Sequence, residues 1–138
     1  MSYIPLHVHS INSPYEGMIT PEELVSRSSF LGLPAVALTD HWTTYGHFEF
    51  YRHAKEAGIK PLLGVELNHA SLVGARDRYH LTAIAANNDG YMNLVRLVNA
   101  HFTKGKEQYV TPEELSEFCG GLIILTGCLK GEASQAIL

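Results

Sequence analysis

Residues 20–41 read TPEELVSRSSFLGLPAVALTDH, and this stretch holds one full period of the pattern on which the fold is built. Thr20 is an N-cap, Pro21 occupies the first helical position, and Glu23 completes a capping box. Leu24, Val25, Ser28 and Leu31 then keep helical spacing, and Gly32 falls where a glycine C-cap belongs. Residues 35–39 are a short apolar run, the mark of a strand buried on both faces. Asp40 and His41 follow at once, so a carboxylate and an imidazole stand at the strand's C-terminal end.

The same period extends outward. Upstream, Ile4, Leu6 and Val8 alternate with other residues, so residues 3–9 read as a strand. Downstream, a helix covers about 47–57 and stops at Gly58. Residues 60–67 form a third strand, 68–79 read as an irregular loop, and 80–86 form a fourth strand. Asn87-Asn88-Asp89-Gly90 is a turn signal. Tyr91, Leu94, Val95, Val98 and Phe102 mark an amphipathic helix. Thr111-Pro112-Glu113-Glu114-Leu115 repeats the first capping sequence, although its surroundings do not repeat. Residues 122–126 read as a fifth buried strand, and a last helix begins near Glu132. Alternating strands and helices predict an α/β fold with a parallel sheet, open or most of a barrel. Functional residues then belong at the C-terminal strand ends.

The bulk properties narrow the function. A chain of 138 residues, 46% apolar and 17% charged, suits one globular domain. No apolar run approaches the roughly 20 residues needed to span a bilayer, and the start has no signal-peptide core, so a cytoplasmic protein without membrane contact is expected. A net charge of −4 argues against a surface that grips nucleic acid unaided. Cys119 and Cys128 make no disulfide framework. The unusual count is eight histidines.

Their placement tracks the strand ends. His7 and His9 are two apart on a strand and share a face, so both reach one ion; the competing reading is a pair of buried, hydrogen-bonded rings. His41 follows the second strand. Glu66 ends an apolar strand, where a carboxylate is costly unless paired or bound to metal, and it can bridge two ions. Nitrogen and carboxylate donors together suit Zn, Mn or Fe better than Ca or Mg. His47 and His53 read as surface residues of the second helix. His69 opens the presumed loop.

His7-Val8-His9-Ser10, Thr39-Asp40-His41, Gly64-Val65-Glu66 and Leu125-Thr126-Gly127-Cys128 resemble the motifs of the PHP (polymerase and histidinol phosphatase) superfamily. Within it, Ala57-Gly58-Ile59-Lys60-Pro61, Gly90-Tyr91-Met92-Asn93-Leu94 and Gly121-Leu122-Ile123-Ile124-Leu125 resemble the N-terminal PHP domain of bacterial DNA polymerase III alpha subunits and their error-prone relatives. The resemblance implies a distorted (β/α)7 barrel, present here as its N-terminal portion of about five β/α units, residues 1–138. It implies up to three divalent ions. His7 and His9 bind one with Glu66, Glu66 bridges to a second held by His80 and Cys128, and Glu16 and His41 serve a third. His101 stands where some members place a further ligand. Glu16 replaces the usual Asp, and the family's downstream Asp-x-His motif is absent.

The implied activity is hydrolysis of phosphate esters, with Asp40 and His41 as candidate catalytic residues. In a polymerase setting the substrate is a DNA 3′ end, the activity a 3′-5′ proofreading exonuclease in replication, and the partners are other replicase subunits. Polymerase chemistry itself would belong to a longer parent chain. Two alternatives stand: a catalytically silent metal-binding module that supports or docks the polymerase, and a stand-alone histidinol-phosphatase-like enzyme acting on small molecules.

Overall fold

The computed structural model describes residues 3–73, 78–104, 109–127, 129 and 131–137. Its elements in chain order are α1 (Pro21–Phe30), β1 (Ala35–Leu38), α2 (His47–Glu56), β2 (Lys60–Ala70), β3 (Arg78–Ala85), α3 (Asn88–Thr103), α4 (Pro112–Phe118), β4 (Leu122–Leu125) and α5 (Glu132–Ile137). Two compact units divide the chain, Met1–Val65 and Glu66–Leu138. No helix among the described residues is long and apolar enough to cross a membrane.

In the first unit, α1 begins as its sequence dictates. The Thr20 side chain accepts from the Glu23 N–H while the Glu23 carboxylate takes the Thr20 N–H. The helix ends at Gly32, whose φ of +66° is cheap only without a Cβ. β1 is buried at all four positions and runs parallel to the start of β2, Ala35 opposite Lys60 and Leu38 opposite Leu63. Leu24, Val25, Val36, Leu38, Phe50, Ala54 and Ile59 form the core, with Val8, Ile19 and Leu63 packed against it. Burial of this apolar surface is the main force holding α1 and α2 to the strands.

Residues 3–9 are not a regular strand, contrary to the sequence expectation. The segment still docks on β1: Ala37 N–H donates to Pro5 O at 3.0 Å and Thr39 N–H to Val8 O at 2.9 Å. Pro5 has no N–H to return. The Val8 N–H goes to the Thr39 hydroxyl instead of a backbone carbonyl, at 2.9 Å. A side chain therefore replaces part of the ladder. His47 also departs from expectation, since it is buried at the start of α2 and its Nε2 donates to Gly64 O at 2.9 Å. Desolvation lowers its pKa to about 4, partly offset by that hydrogen bond.

In the second unit, β3 lies between the remainder of β2 and β4. The presumed loop at 68–79 is partly strand. β2 continues to Ala70 because Val110 pairs with it, donating to Asn68 O at 2.8 Å and accepting from Ala70 N–H at 2.9 Å. Asn87 is a helix cap, its side chain accepting from Gly90 N–H, so the turn signal opens α3 directly.

β3 and β4 pair antiparallel, Thr82 opposite Leu125 and Ala85 opposite Leu122, where a wholly parallel sheet was expected. The connection explains it. One crossover helix returns a chain to its starting end, but α3 and α4, packed on each other, carry it back to the end it left. β4 is half exposed and not buried on both faces.

Candidate metal centre

The first unit gathers four of the expected residues around one serine. The two Nε2 atoms of His7 and His9 lie 2.9 Å apart. Ser13 is fully buried, and its hydroxyl donates to Glu16 Oε2 at 3.2 Å. A hydroxyl has one proton. The 2.7 Å contact between Ser13 Oγ and His9 Nδ1 must therefore be donated by the ring. That fixes the proton on His9 Nδ1 and leaves Nε2 with its lone pair. Ser13 Oγ also accepts the His41 N–H at 3.1 Å.

Glu16 Oε2 ties the set together, 3.2 Å from His9 Nδ1 and 3.0 Å from His41 Nδ1. A carboxylate only accepts, so His41 too carries its proton on Nδ1. The His41 ring stacks on Trp42, with centroids 6.1 Å apart and planes at 19°. In this geometry Glu16 backs the imidazoles as well as offering its other oxygen.

Asp40 is fully buried, and both its oxygens are taken by Ser10, from the N–H at 2.5 Å and the hydroxyl at 2.8 Å. Burial raises its pKa, and the Ser10 hydrogen bonds and nearby His9 oppose the rise. The bonds clamp the residue after His9 to the residue before His41. Gly17 closes the same loop from the other side. A Cβ there would stand 1.9 Å from the Ser10 carbonyl oxygen, so only glycine lets the loop fold back onto Ser10. Ser10, Ser13 and Gly17 were not singled out by their sequence; Ser13-Pro14-Tyr15-Glu16 was readable as a Ser-x-x-Glu turn.

In the second unit, Glu66 is buried, and His80 Nδ1 lies 3.1 Å from its Oε1. His80 thus resembles His41 in having its Nδ1 on a carboxylate. It is the third residue of β3, which begins at Arg78. His101 is buried on α3, its ring edge-on to Phe102 with centroids 4.8 Å apart. Cys128 lies outside the described residues. His69 is buried near the end of β2 and lines a cavity of about 360 Å³ with His80, Leu81, Ile124, Thr126 and Glu132. Burial pushes the Glu132 carboxyl up, but hydrogen bonds from Ser71 Oγ and Leu72 N–H outweigh it and hold the pKa below its ordinary value.

These donors fit a divalent cation of the Zn, Mn or Fe type. They are imidazoles and carboxylates, and in His9, His41 and His80 the Nδ1 is held by a partner that fixes the tautomer. Magnesium and calcium call for oxygen-rich sets that neither group supplies.

The comparisons with known proteins agree with this chemistry. The PHP domain family profile matches residues 5–138. DNA polymerase III subunit alpha of Buchnera aphidicola (from Schizaphis graminum) is 39% identical over 140 residues, 99% of this chain and 12% of that protein. The error-prone DNA polymerase of Symbiobacterium thermophilum is 38% identical, over all of this chain and 14% of its own length. The Escherichia coli K12 alpha subunit is 34% identical over 99% of this chain. The chain thus spans about one eighth of these relatives' length.

Among solved structures, an amidohydrolase from Chromobacterium violaceum with bound sulfate and no metal aligns at a TM-score of 0.58 and 30% identity, covering 71% of this chain and 32% of that one. A Bifidobacterium adolescentis protein assigned as a metal-dependent phosphoesterase aligns at 0.54 and 28% identity, covering 84% and 39%. The mixed α/β fold is that of part of a PHP barrel. On the profile match and these identities together, the chain belongs to the PHP domain family.

Proposed function

We propose that this chain is a metal-dependent phosphoesterase domain, and that in its biological setting it trims DNA 3′ ends for a cytoplasmic replicase. The observation that carries the reading is the network in the first unit. Three donors, His9, Glu16 and His41, are organised by one buried hydroxyl, and His7 joins His9 through Nε2. The phosphoesterase assignment of the Bifidobacterium relative and the polymerase names of the sequence relatives support the reaction class and the setting.

In this proposal the residues that would hold divalent ions are those the resemblance implies: His7, His9, Glu16 and His41 in the first unit, and Glu66, His80, His101 and Cys128 in the second. Bound divalent ions supply Lewis acidity at the phosphoryl oxygens. The protein's own residues do the rest. Glu16 and Ser13 keep the His9 and His41 protons on Nδ1, so both rings would meet a cation, or the proton of an attacking water, through the Nε2 lone pair. Asp40, turned inward onto Ser10, positions the two histidine-bearing segments; His41 is the member of the pair that reaches the reacting groups.

The test is hydrolysis of a 3′-labelled oligonucleotide and of small phosphate monoesters by the purified chain with added Mn or Zn. Metal-dependent release of product, abolished by chelation and by His9→Ala, supports the reading. A second reading, a silent metal-binding module of the polymerase, is favoured by the net charge of −4, which gives the domain little affinity for DNA of its own. Tight metal binding without turnover of any ester would select it.

A further inference from the structure

We propose that Tyr15 is the substrate-recognition residue of this centre and stacks on the terminal base of a nucleotide substrate. The inference rests on the phosphoesterase reading and names the part of the substrate that the centre selects.

Two non-glycine residues among those described have positive φ, Tyr15 at 68° and Trp42 at 63°. For bulky residues this conformation is unfavourable and is kept only where the surroundings enforce it. Both positions adjoin the centre, Tyr15 directly before Glu16 and Trp42 directly after His41, and Glu16 and His41 bond each other at 3.0 Å. Trp42 has an evident role, since its buried ring lies under the His41 imidazole. Tyr15 has no such packing role: its side chain is fully exposed. A bulky, strained and fully exposed aromatic residue brings nothing to the folded core.

The backbone beneath it is nevertheless held by hydrogen bonds. The loop is pinned by Ser13 O, which accepts from Glu16 N–H at 3.1 Å and Gly17 N–H at 3.2 Å, and by Ile11 N–H donating to Ile19 O at 3.0 Å. The left-handed backbone therefore holds an aromatic ring one residue from a carboxylate of the centre. Ile11 and Met18, on the same loop, are also exposed and add apolar surface. An exposed ring on a loop whose backbone is pinned is suited to a flat, apolar partner. A nucleobase has such a face, and the stack tolerates any base. A phosphate or sugar alone has nothing to place on it.

Binding and turnover separate the two claims. The whole chain, metal-loaded, is titrated with a nucleoside monophosphate and with ribose 5-phosphate by calorimetry, for the parent and for Tyr15→Ala, Tyr15→Phe and Tyr15→Gly. Tyr15→Gly relieves the backbone strain, so it keeps the parent's thermal midpoint and guards against a folding artefact. The expected result is about tenfold weaker nucleotide binding in Tyr15→Ala and Tyr15→Gly. Tyr15→Phe should match the parent, and ribose 5-phosphate should bind all four proteins equally. Nucleotide binding that is insensitive to Tyr15, no preference of the parent for the base-bearing ligand, or no binding of either ligand overturns the proposal. If Tyr15 governs nucleotide affinity but no ester is hydrolysed, the phosphoesterase reading fails and base recognition stands.

Discussion

At the scale of single residues, the candidate ligands stand out in the sequence and the groups that support them do not. The histidines stand out because eight in so short a chain are unusual and His7 and His9 are two apart. Ser13 does not stand out, since a serine in a loop is ordinary until its partners are known. Its hydroxyl donates to Glu16 and accepts from His9 and the His41 N–H, so it sets the His9 tautomer and holds the His41 backbone at once. Ser13→Ala should therefore leave the fold intact and weaken metal binding about 10- to 100-fold, measured by competition with a chromogenic chelator. The pattern of α2 puts His47 on the surface because it does not reveal what covers the first turn, and the structure buries it. Its folded pKa of about 4 lies below the ordinary 6.5. Between those values the unfolded chain takes up a proton that the folded chain refuses, so stability falls as pH drops from 6.5 to 4. The loss approaches about 3 kcal/mol at full extent. His47→Gln can keep the bond to Gly64 O, and its urea-denaturation stability should fall by that much less over the same pH range.

At the scale of elements, capping chemistry was the most readable signal. Thr20 with Glu23 and Thr111 with Glu114 both form the boxes that their sequences spell out. Thr20→Ala should cost about 1 kcal/mol of unfolding free energy by denaturant titration. Strand limits were less readable, because they depend on partners distant in sequence. Residues 68–70 became strand through Val110, and residues 3–9 lost regular pairing through Pro5 and the Thr39 hydroxyl. The loop from Ser10 to Ile19 depends on one close approach. Gly17→Ala puts a methyl group into the Ser10 carbonyl, so it should displace Glu16 and lower both metal affinity and the thermal midpoint. A Gly17→Ala protein with the parent's metal affinity would show that the loop does not set the centre.

At the scale of the molecule, the α/β class and the order of its elements followed from the alternation of apolar strands and capped helices. The antiparallel β4 did not, since strand direction depends on how many helices the connection packs, and residues 88–118 hold two. The site was legible as a set of ligand types at recurring positions, which is a one-dimensional property. The direction of each imidazole was not, because Nδ1 partners such as Ser13 and Glu16 come from a loop without periodic pattern. The central claim is that the histidines are arranged to hold divalent metal. The direct measurement is metal content by mass spectrometry of the purified chain beside a His7→Ala/His9→Ala variant. The account predicts Zn, Mn or Fe bound to the parent and reduced in the folded variant by at least one equivalent. Equal metal in the two proteins, or none above background in the parent after reconstitution, would contradict it.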